Sequence, residues 1–251
     1  MLEIKDIRGG YGPEEVLHGL SFRAEKGEIT AILGPNGCGK STLLKTLCAI
    51  LPKNSGQVAL EGQDILTLPP QQLARKAAYL AQGRQTPEIS VERLVLHGRF
   101  PYLSYPRRYR QEDYRIAREV MEQMEIAELA ETPMSQLSGG QRQKAYIAMI
   151  LAQDTPVVLL DEPTTYLDVS HQLQFLQQAR ALADSGKYVL MVIHDLTMAL
   201  EWADRVVLLR EGTVEVQGTP EEVYRSGALD RVFGVRVDRV ESDGRRYYFC
   251  R

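Results

Sequence analysis

The sequence predicts an α/β fold on a mixed, mainly parallel sheet, with an antiparallel β part and a helical insertion. Three observations predict it: short apolar runs that do not alternate, helix-like stretches between them, and a charged central stretch with no such run. The runs are residues 28–33, 77–81, 157–160 and 188–193, and they lead into Gly34, Gln82, Asp161 and His194. Runs of that length without alternation suit strands buried on both faces of a parallel sheet. In open parallel sheets ligands bind beyond the carboxyl ends of the strands, so the four ends point at one site.

The remaining elements follow in order. The first 25 residues, and later residues 205–216, alternate in the manner of antiparallel strands. Residues 40–51 and 169–183 read as helices. From Gln85-Thr86-Pro87 the chain turns Arg/Glu-rich, and from Gln111 through Glu131 a helical period puts Ile116, Val120, Met124 and Ala127 on one face. This predicts a helical unit over residues 85–152, inserted in a core of residues 1–84 and 153–251. A further helix is expected over residues 141–152. Thr219-Pro220-Glu221-Glu222 is a helix start, with threonine as cap, proline first and acids in the first turn. Residues 235–238 and 247–249, joined around Asp243-Gly244, predict a terminal hairpin.

Composition narrows the function classes. At 44% hydrophobic and 25% charged residues the chain has the ordinary globular balance, not that of a disordered one. The longest apolar run, residues 145–152, falls far short of the about 20 residues that span a bilayer. The start Met1-Leu2-Glu3-Ile4-Lys5-Asp6 lacks the basic-then-apolar form of a secretory signal. Three cysteines, Cys38, Cys48 and Cys250, have no metal-type spacing and suit reduced thiols in a cytosolic protein. A net charge of −3 argues against a protein built to coat nucleic acid.

Gly34-Pro35-Asn36-Gly37-Cys38-Gly39-Lys40-Ser41-Thr42 fits G-x-x-x-x-G-K-[ST] between an expected strand and an expected helix. Its glycines let successive N–H groups face inward, and the following helix N-terminus favours an anion. Lys40 would reach the β and γ phosphates, and the Ser41 hydroxyl would take Mg²⁺. Asp161 and Glu162 close another apolar run. Asp161 can hold the same metal, usually through water, and Glu162 can polarise a water for attack on the γ-phosphate. Leu137-Ser138-Gly139-Gly140-Gln141 opens a helix with a hydroxyl and two glycines, a second place where an anion can approach backbone N–H groups.

With Lys40, Gln82, Ser138, Asp161, Asp168 and His194 in this order, the chain resembles the ATPase subunits of ABC transporters over essentially its whole length. The resemblance implies a phosphate-loop NTPase fold, ATP and Mg²⁺ as ligands, and a head-to-tail homodimer. In that dimer Ser138, Gly139, Gly140 and Gln141 serve the nucleotide of the partner chain. It further implies that Gln82 is a ligand of Mg²⁺ and water and senses the membrane partner. His194 contacts the γ-phosphate and steadies the transition state with Glu162, and Asp168 lies in the loop linking the two sites. Tyr11, after Gly9-Gly10, takes the place of the aromatic that stacks on adenine; the alternative is an ordinary surface or core tyrosine. Thr164-Thr165-Tyr166-Leu167-Asp168 departs from the commoner S-x-L-D by its Tyr166. That run and the GR-x-PY element of Gly98 to Tyr102 resemble importers of iron–siderophore, haem or cobalamin.

The expectation is therefore the ATP-hydrolysing subunit of an importer at the cytoplasmic face of the membrane. Two copies would act on two separate permease subunits, indirectly served by a solute-binding protein, with no nucleic-acid partner. The alternative is a soluble ABC ATPase of iron–sulfur assembly or repair. Repair-type relatives carry long coiled coils, whereas the stretch between Thr42 and Leu137 has no sustained heptads. The basic-aromatic stretch from His97 to Arg110 admits a solvated face, a surface for membrane-partner helices, or, least of all, nucleic acid. Cys38 falls where the backbone matters more than the side chain, although a thiol beside a helix N-terminus can have a lowered pKa.

Overall fold

The computed structural model describes residues 1–83, 86–164, 168–242 and 245–251. Two long strands, β1 (Leu2–Tyr11) and β2 (Glu14–Ala24), pair antiparallel with Leu2 opposite Ala24 and Ile4 opposite Phe22. Their alternation sets the faces: Leu2, Ile4, Leu20 and Phe22 are buried while Lys5, Ser21 and Arg23 are exposed. Next come β3 (Ile29–Leu33), α1 (Lys40–Leu47), β4 (Lys53–Leu60), β5 (Gln63–Asp64), α2 (Pro70–Leu73) and β6 (Ala77–Leu80). The helices α3 (Val91–His97), α4 (Gln111–Gln123) and α5 (Gly139–Gln153) intervene before β7 (Val157–Asp161). The chain continues through α6 (Val169–Asp184), β8 (Tyr188–Val192), α7 (Leu196–Trp202), β9 (Arg205–Arg210) and β10 (Thr213–Gly218). It closes with α8 (Pro220–Arg225), α9 (Ala228–Phe233), β11 (Val237–Ser242) and β12 (Arg245–Cys250).

The central sheet runs β10-β9-β3-β8-β7-β6, parallel throughout except for the edge strand β10. Every residue of β3, β7 and β8 is buried, because the sheet is covered on both sides. Alternate residues serve the two layers. Val158, Leu160, Val189 and Met191 pack with the helical side, which holds Leu94, Ile147 and Leu176. Val157, Leu159, Leu190 and Val192 pack with α1 and the antiparallel sheet, against Leu43, Leu20 and Val58. Each such apolar side chain contributes about 1.5–3 kcal/mol by leaving water. The antiparallel sheet has the order β2-β1-β4-β5. Its strand β4 escaped the sequence reading because only Val58, Ala59 and Leu60 at its end are buried.

Several expected boundaries move. Helix α1 stops at Leu47, not at residue 51, because the chain reverses through Ala49 at φ 53°. Helix α4 stops at Gln123, not near Glu131, since Glu125 has φ 54°, and Ala127–Leu129 form a separate 3₁₀ turn. The apolar residues it buries are Ala117 and Met121, with Ile116 and Val120 half-covered; Asp113 is buried as well. Helix α5 begins earlier than expected, at Gly139.

The GR-x-PY element is an internal brace, which corrects the reading of it as a solvated face. Gly98 lies so close to α5 that a Cβ there would stand 2.2 Å from the Met149 carbonyl oxygen. Arg99 is buried; its Nε donates to Asp113 Oδ1 at 3.2 Å and its Nη1 to the Ala152 carbonyl at 2.9 Å. Its guanidinium lies 3.9 Å from the centre of the Tyr102 ring, and the Tyr102 hydroxyl donates to the Gln153 carbonyl at 2.9 Å. Gln71 of α2 and Arg75, just past its end, donate to the Pro101 carbonyl. Phe100, Tyr105 and Tyr114 remain exposed.

Thr219 caps α8 as expected, exchanging hydrogen bonds with Glu222. Glu221 anchors the terminal hairpin by accepting from Arg239 at 2.6 Å and from Tyr248 at 3.3 Å. The expected turn at Asp243-Gly244 lies outside the described residues, as do Gln85, Thr165, Tyr166 and Leu167. Among the described residues no helix is long and apolar enough to cross a membrane.

Candidate functional site

Strand β3 delivers the chain into the loop at Gly34, whose φ is 150°. A Cβ there would stand 2.5 Å from both Cys38 Sγ and the Leu209 carbonyl oxygen, so glycine is required for closeness as well as for φ. Gly37 and Gly39 are left-handed at φ 80° and 102°, and Gly39 leads into α1 with no side-chain cap. The first N–H groups of α1 are therefore not satisfied by a capping side chain, the condition for receiving an anion. Lys40 is buried and curls back, its Nζ donating to the carbonyls of Gly34 at 2.8 Å and Pro35 at 2.9 Å.

One step along α1, Ser41 Oγ donates to Asp161 Oδ1 at 2.9 Å. The other oxygen of Asp161 accepts from the Tyr79 hydroxyl at 2.8 Å. Asp161 is 1% exposed, and a carboxylate so buried needs such partners. Burial, together with Asp161, pushes the Tyr79 phenol well above its ordinary range, so it acts as a donor here.

Glu162 follows with φ 48°, a conformation uncommon outside glycine. The reversal turns its carboxylate between the tips of β6 and β8. Gln82 Nε2 donates to one oxygen and His194 Nε2 meets the other. Glu162 is nearly covered while the His194 ring is half open to solvent. Thus the four strand ends singled out in the sequence do converge: the loop after β3 on Asp161 through Ser41, and β6, β7 and β8 on Glu162.

The other expected residues lie at the mouths of two helices. Ser138 caps α5: its Oγ accepts the Gln141 N–H at 3.2 Å, and Gln141 Oε1 accepts the Ser138 N–H at 3.0 Å. Among the described residues, no atom beyond its chain neighbours and its own helix comes within 4 Å of where a Cβ on Gly139 would be. Asp168 caps α6, accepting from the His171 N–H at 2.9 Å and the Ser170 hydroxyl at 2.8 Å. Those bonds, the backbone one foremost, push its carboxyl down to about 2. Gln143 of α5 donates to the Pro163 carbonyl at 3.2 Å, tying this helix to the turn that carries Glu162. Tyr11 ends β1 with its ring about half exposed.

Chemically, the arrangement offers a phosphate cradle, a pair of hard oxygens on Ser41 and Asp161, and a carboxylate aimed by two strand-end side chains. The pattern of the ABC transporter family matches residues 17–165, a span that runs from β2 through the cradle to the turn after Glu162. The chain belongs to the ABC transporter family.

As an ABC ATPase it binds and hydrolyses ATP. It is 42% identical over 229 residues to the ferric enterobactin transport ATP-binding protein FepC of Escherichia coli (strain K12), covering 90% of this chain and 84% of that one. To the iron(3+)-hydroxamate import ATP-binding protein FhuC of Bacillus subtilis (strain 168) it is 43% identical over 241 residues, 95% and 90% of the two chains. Among solved structures it resembles a metal-chelate type ABC transporter in an inward-facing conformation. The TM-score is 0.85 at 26% identity, over 99% of this chain and 96% of the other.

Two features of this ABC ATPase went beyond the sequence reading. Tyr79 lies inside the apolar run 77–81, and the signal for its role is that a buried tyrosine needs a hydrogen-bond partner for its hydroxyl. Cys38 is buried rather than activated: desolvation raises its thiol pKa, against the pull of Lys40, so the lowered value weighed from its place before α1 is corrected.

Proposed function

We propose that this chain is the ATP-hydrolysing subunit of an importer for iron(III) chelates of the siderophore or haem type, acting as a homodimer on separate membrane permease subunits. The names of the two relatives above carry the siderophore part of this reading; haem and cobalamin, the other cargoes expected, have no counterpart in them. Both relatives are transport or import proteins, and nothing favours iron–sulfur assembly. The observation that carries the mechanism is Glu162, held between Gln82 and His194 beside a phosphate cradle.

ATP lies with its phosphates along the N–H groups of residues 34–41, and Lys40 leaves the Gly34 and Pro35 carbonyls to meet them. Ser41 and Asp161 suit Mg²⁺, which favours one or two hard oxygen ligands together with phosphate oxygens and water. Gln82 would complete that set, and the ion would neutralise phosphate charge. Glu162 accepts a proton from the water whose oxygen bonds to the γ-phosphorus, while the bond to the β-bridging oxygen breaks, giving ADP and phosphate. One of its present partners yields to that water, and the other keeps the carboxylate aimed. His194 then faces the γ-phosphate. Tyr11 stacks on adenine, and Ser138, Gly139, Gly140 and Gln141 meet the nucleotide of the second copy, with Asp168 between the two sites. The helical unit, residues 85–152, passes closure to the permease, and its exposed Phe100, Tyr105 and Tyr114 suit apolar contact with that partner.

Glu162→Gln tests the reading. It keeps the shape and its contacts but removes the proton acceptor. ATP binding stays intact, turnover falls about 10²–10⁴-fold, and an ATP-bound dimer accumulates on size-exclusion chromatography. Wild-type turnover in this variant overturns the assignment of Glu162. Recovery of the tagged chain from membrane extract only with soluble partners overturns the permease partnership.

A further inference from the structure

Gly140 is buried at the second position of α5, and another helix fills the space that a β-carbon would need. A Cβ on Gly140 would stand 2.1 Å from Nε2 and 2.2 Å from Cδ2 of His171. Its neighbour Gly139 meets, among the described residues, nothing of another element within 4 Å at the same point. A β-carbon at position 140 is thus opposed from within this chain by one imidazole, which would have to move. The ring is also tethered. His171 Nδ1 lies 2.8 Å from both Asp168 oxygens, and the same carboxylate accepts the His171 backbone N–H. Displacing the ring from Gly140 costs the Asp168 contact, because ring and carboxylate are three residues apart on one helical turn.

We propose that His171 is a positioning residue: clamped by Asp168, its imidazole is a strut that sets the distance between the Asp168 corner and the glycine mouth of α5. The two helix ends then approach a nucleotide as one body. Ser138 and Gly139 stay exposed at the mouth, because the strut carries the steric load behind them at Gly140. The inference rests on the reading that this mouth serves the nucleotide of the second copy. The contact itself lies within a single chain and can be tested alone.

The experiment compares the full chain with Gly140→Ala, His171→Ala and the double variant. Only four histidines are present, His18, His97, His171 and His194, so ¹⁵N-histidine spectra resolve each ring. Gly140→Ala shifts the His171 ring resonances and leaves those of His18 and His97 in place. Its affinity for MgATP as a lone chain stays within about twofold, while kcat falls about tenfold with half-saturating ATP unchanged. His171→Ala alone lowers kcat about threefold. Adding His171→Ala to Gly140→Ala raises kcat about threefold, because the new methyl enters the space the ring has left; such non-additivity marks direct contact. A double variant no faster than Gly140→Ala overturns the strut, as do unmoved His171 resonances in Gly140→Ala. If Ser138→Arg still dimerises with ATP while the His171 shift and the rescue persist, the reading of the mouth fails and the strut stands.

Discussion

The hydroxyl of Tyr79 donates to Asp161 Oδ2 at 2.8 Å across the parallel pair β6 and β7. Tyr79 stands opposite Leu159 in the register, so its ring reaches forward to the strand tip where Asp161 ends β7. With Ser41 on the other oxygen, the carboxylate is oriented before any nucleotide arrives.

Tyr79→Phe removes that donor and leaves a buried charged acceptor short of a partner. The expected loss is about 1.5–3 kcal/mol, the range for hydrogen bonds to charged groups. Urea unfolding of the nucleotide-free chain measures it. A loss below about 0.5 kcal/mol would show that water replaces the phenol.

Arg99 is the charged centre of the brace that joins the segment after α3 to α4 and α5. Arg99→Ala leaves the Asp113 carboxylate buried with, among the described residues, only the Arg110 backbone N–H as its partner, at 2.9 Å. Breaking a buried pair in this way costs about 3–5 kcal/mol. The unfolding midpoint should fall accordingly, with amide exchange rising first in α3 and α4.

Ser138→Arg places a long cation at the open mouth of α5. The cradle lies on other elements, so ATP affinity of the lone chain should change less than about twofold, while turnover falls more than about tenfold. Sedimentation with ATP should show monomer. A dimer that still forms would remove Ser138 from the interface.

Asp168 gives a pH signature. Its carboxyl is pushed down to about 2 from an ordinary 3.8, first by the His171 backbone N–H and then by the Ser170 hydroxyl. A depressed folded value means that its stabilising contribution is complete above the ordinary value and is lost as pH falls towards about 2. Asp168→Asn keeps an efficient cap but does not titrate. The stability gap between wild type and this variant should therefore narrow between pH 4 and pH 2. Unfolding curves across that range measure it; a gap that does not change with pH would separate the carboxylate from the capping bonds.

Much of the candidate site is written locally. A glycine-rich loop, an apolar run ending in Asp161-Glu162, and a Ser-Gly-Gly helix start each state their geometry within a few residues. The central strands are equally legible, since β3, β7 and β8 are buried on both faces and therefore need unbroken apolar runs. Strand β4 and the ends of α1 and α4 were not. They depend on one half-buried surface and on left-handed residues, Ala49 and Glu125, that carry no glycine to announce a turn.

The sequence alone determined which chemical groups this protein carries and at which strand ends they stand, because period and turn chemistry are properties of neighbouring residues. Tertiary structure decided which of those groups touch. Tyr79 finds Asp161 through a strand register between distant segments, Glu162 finds Gln82 and His194 through one backbone reversal, and His171 finds Gly140 through the packing of two helices. Such pairings follow from how layers stack across the sheet, and no stretch of neighbouring residues contains that information.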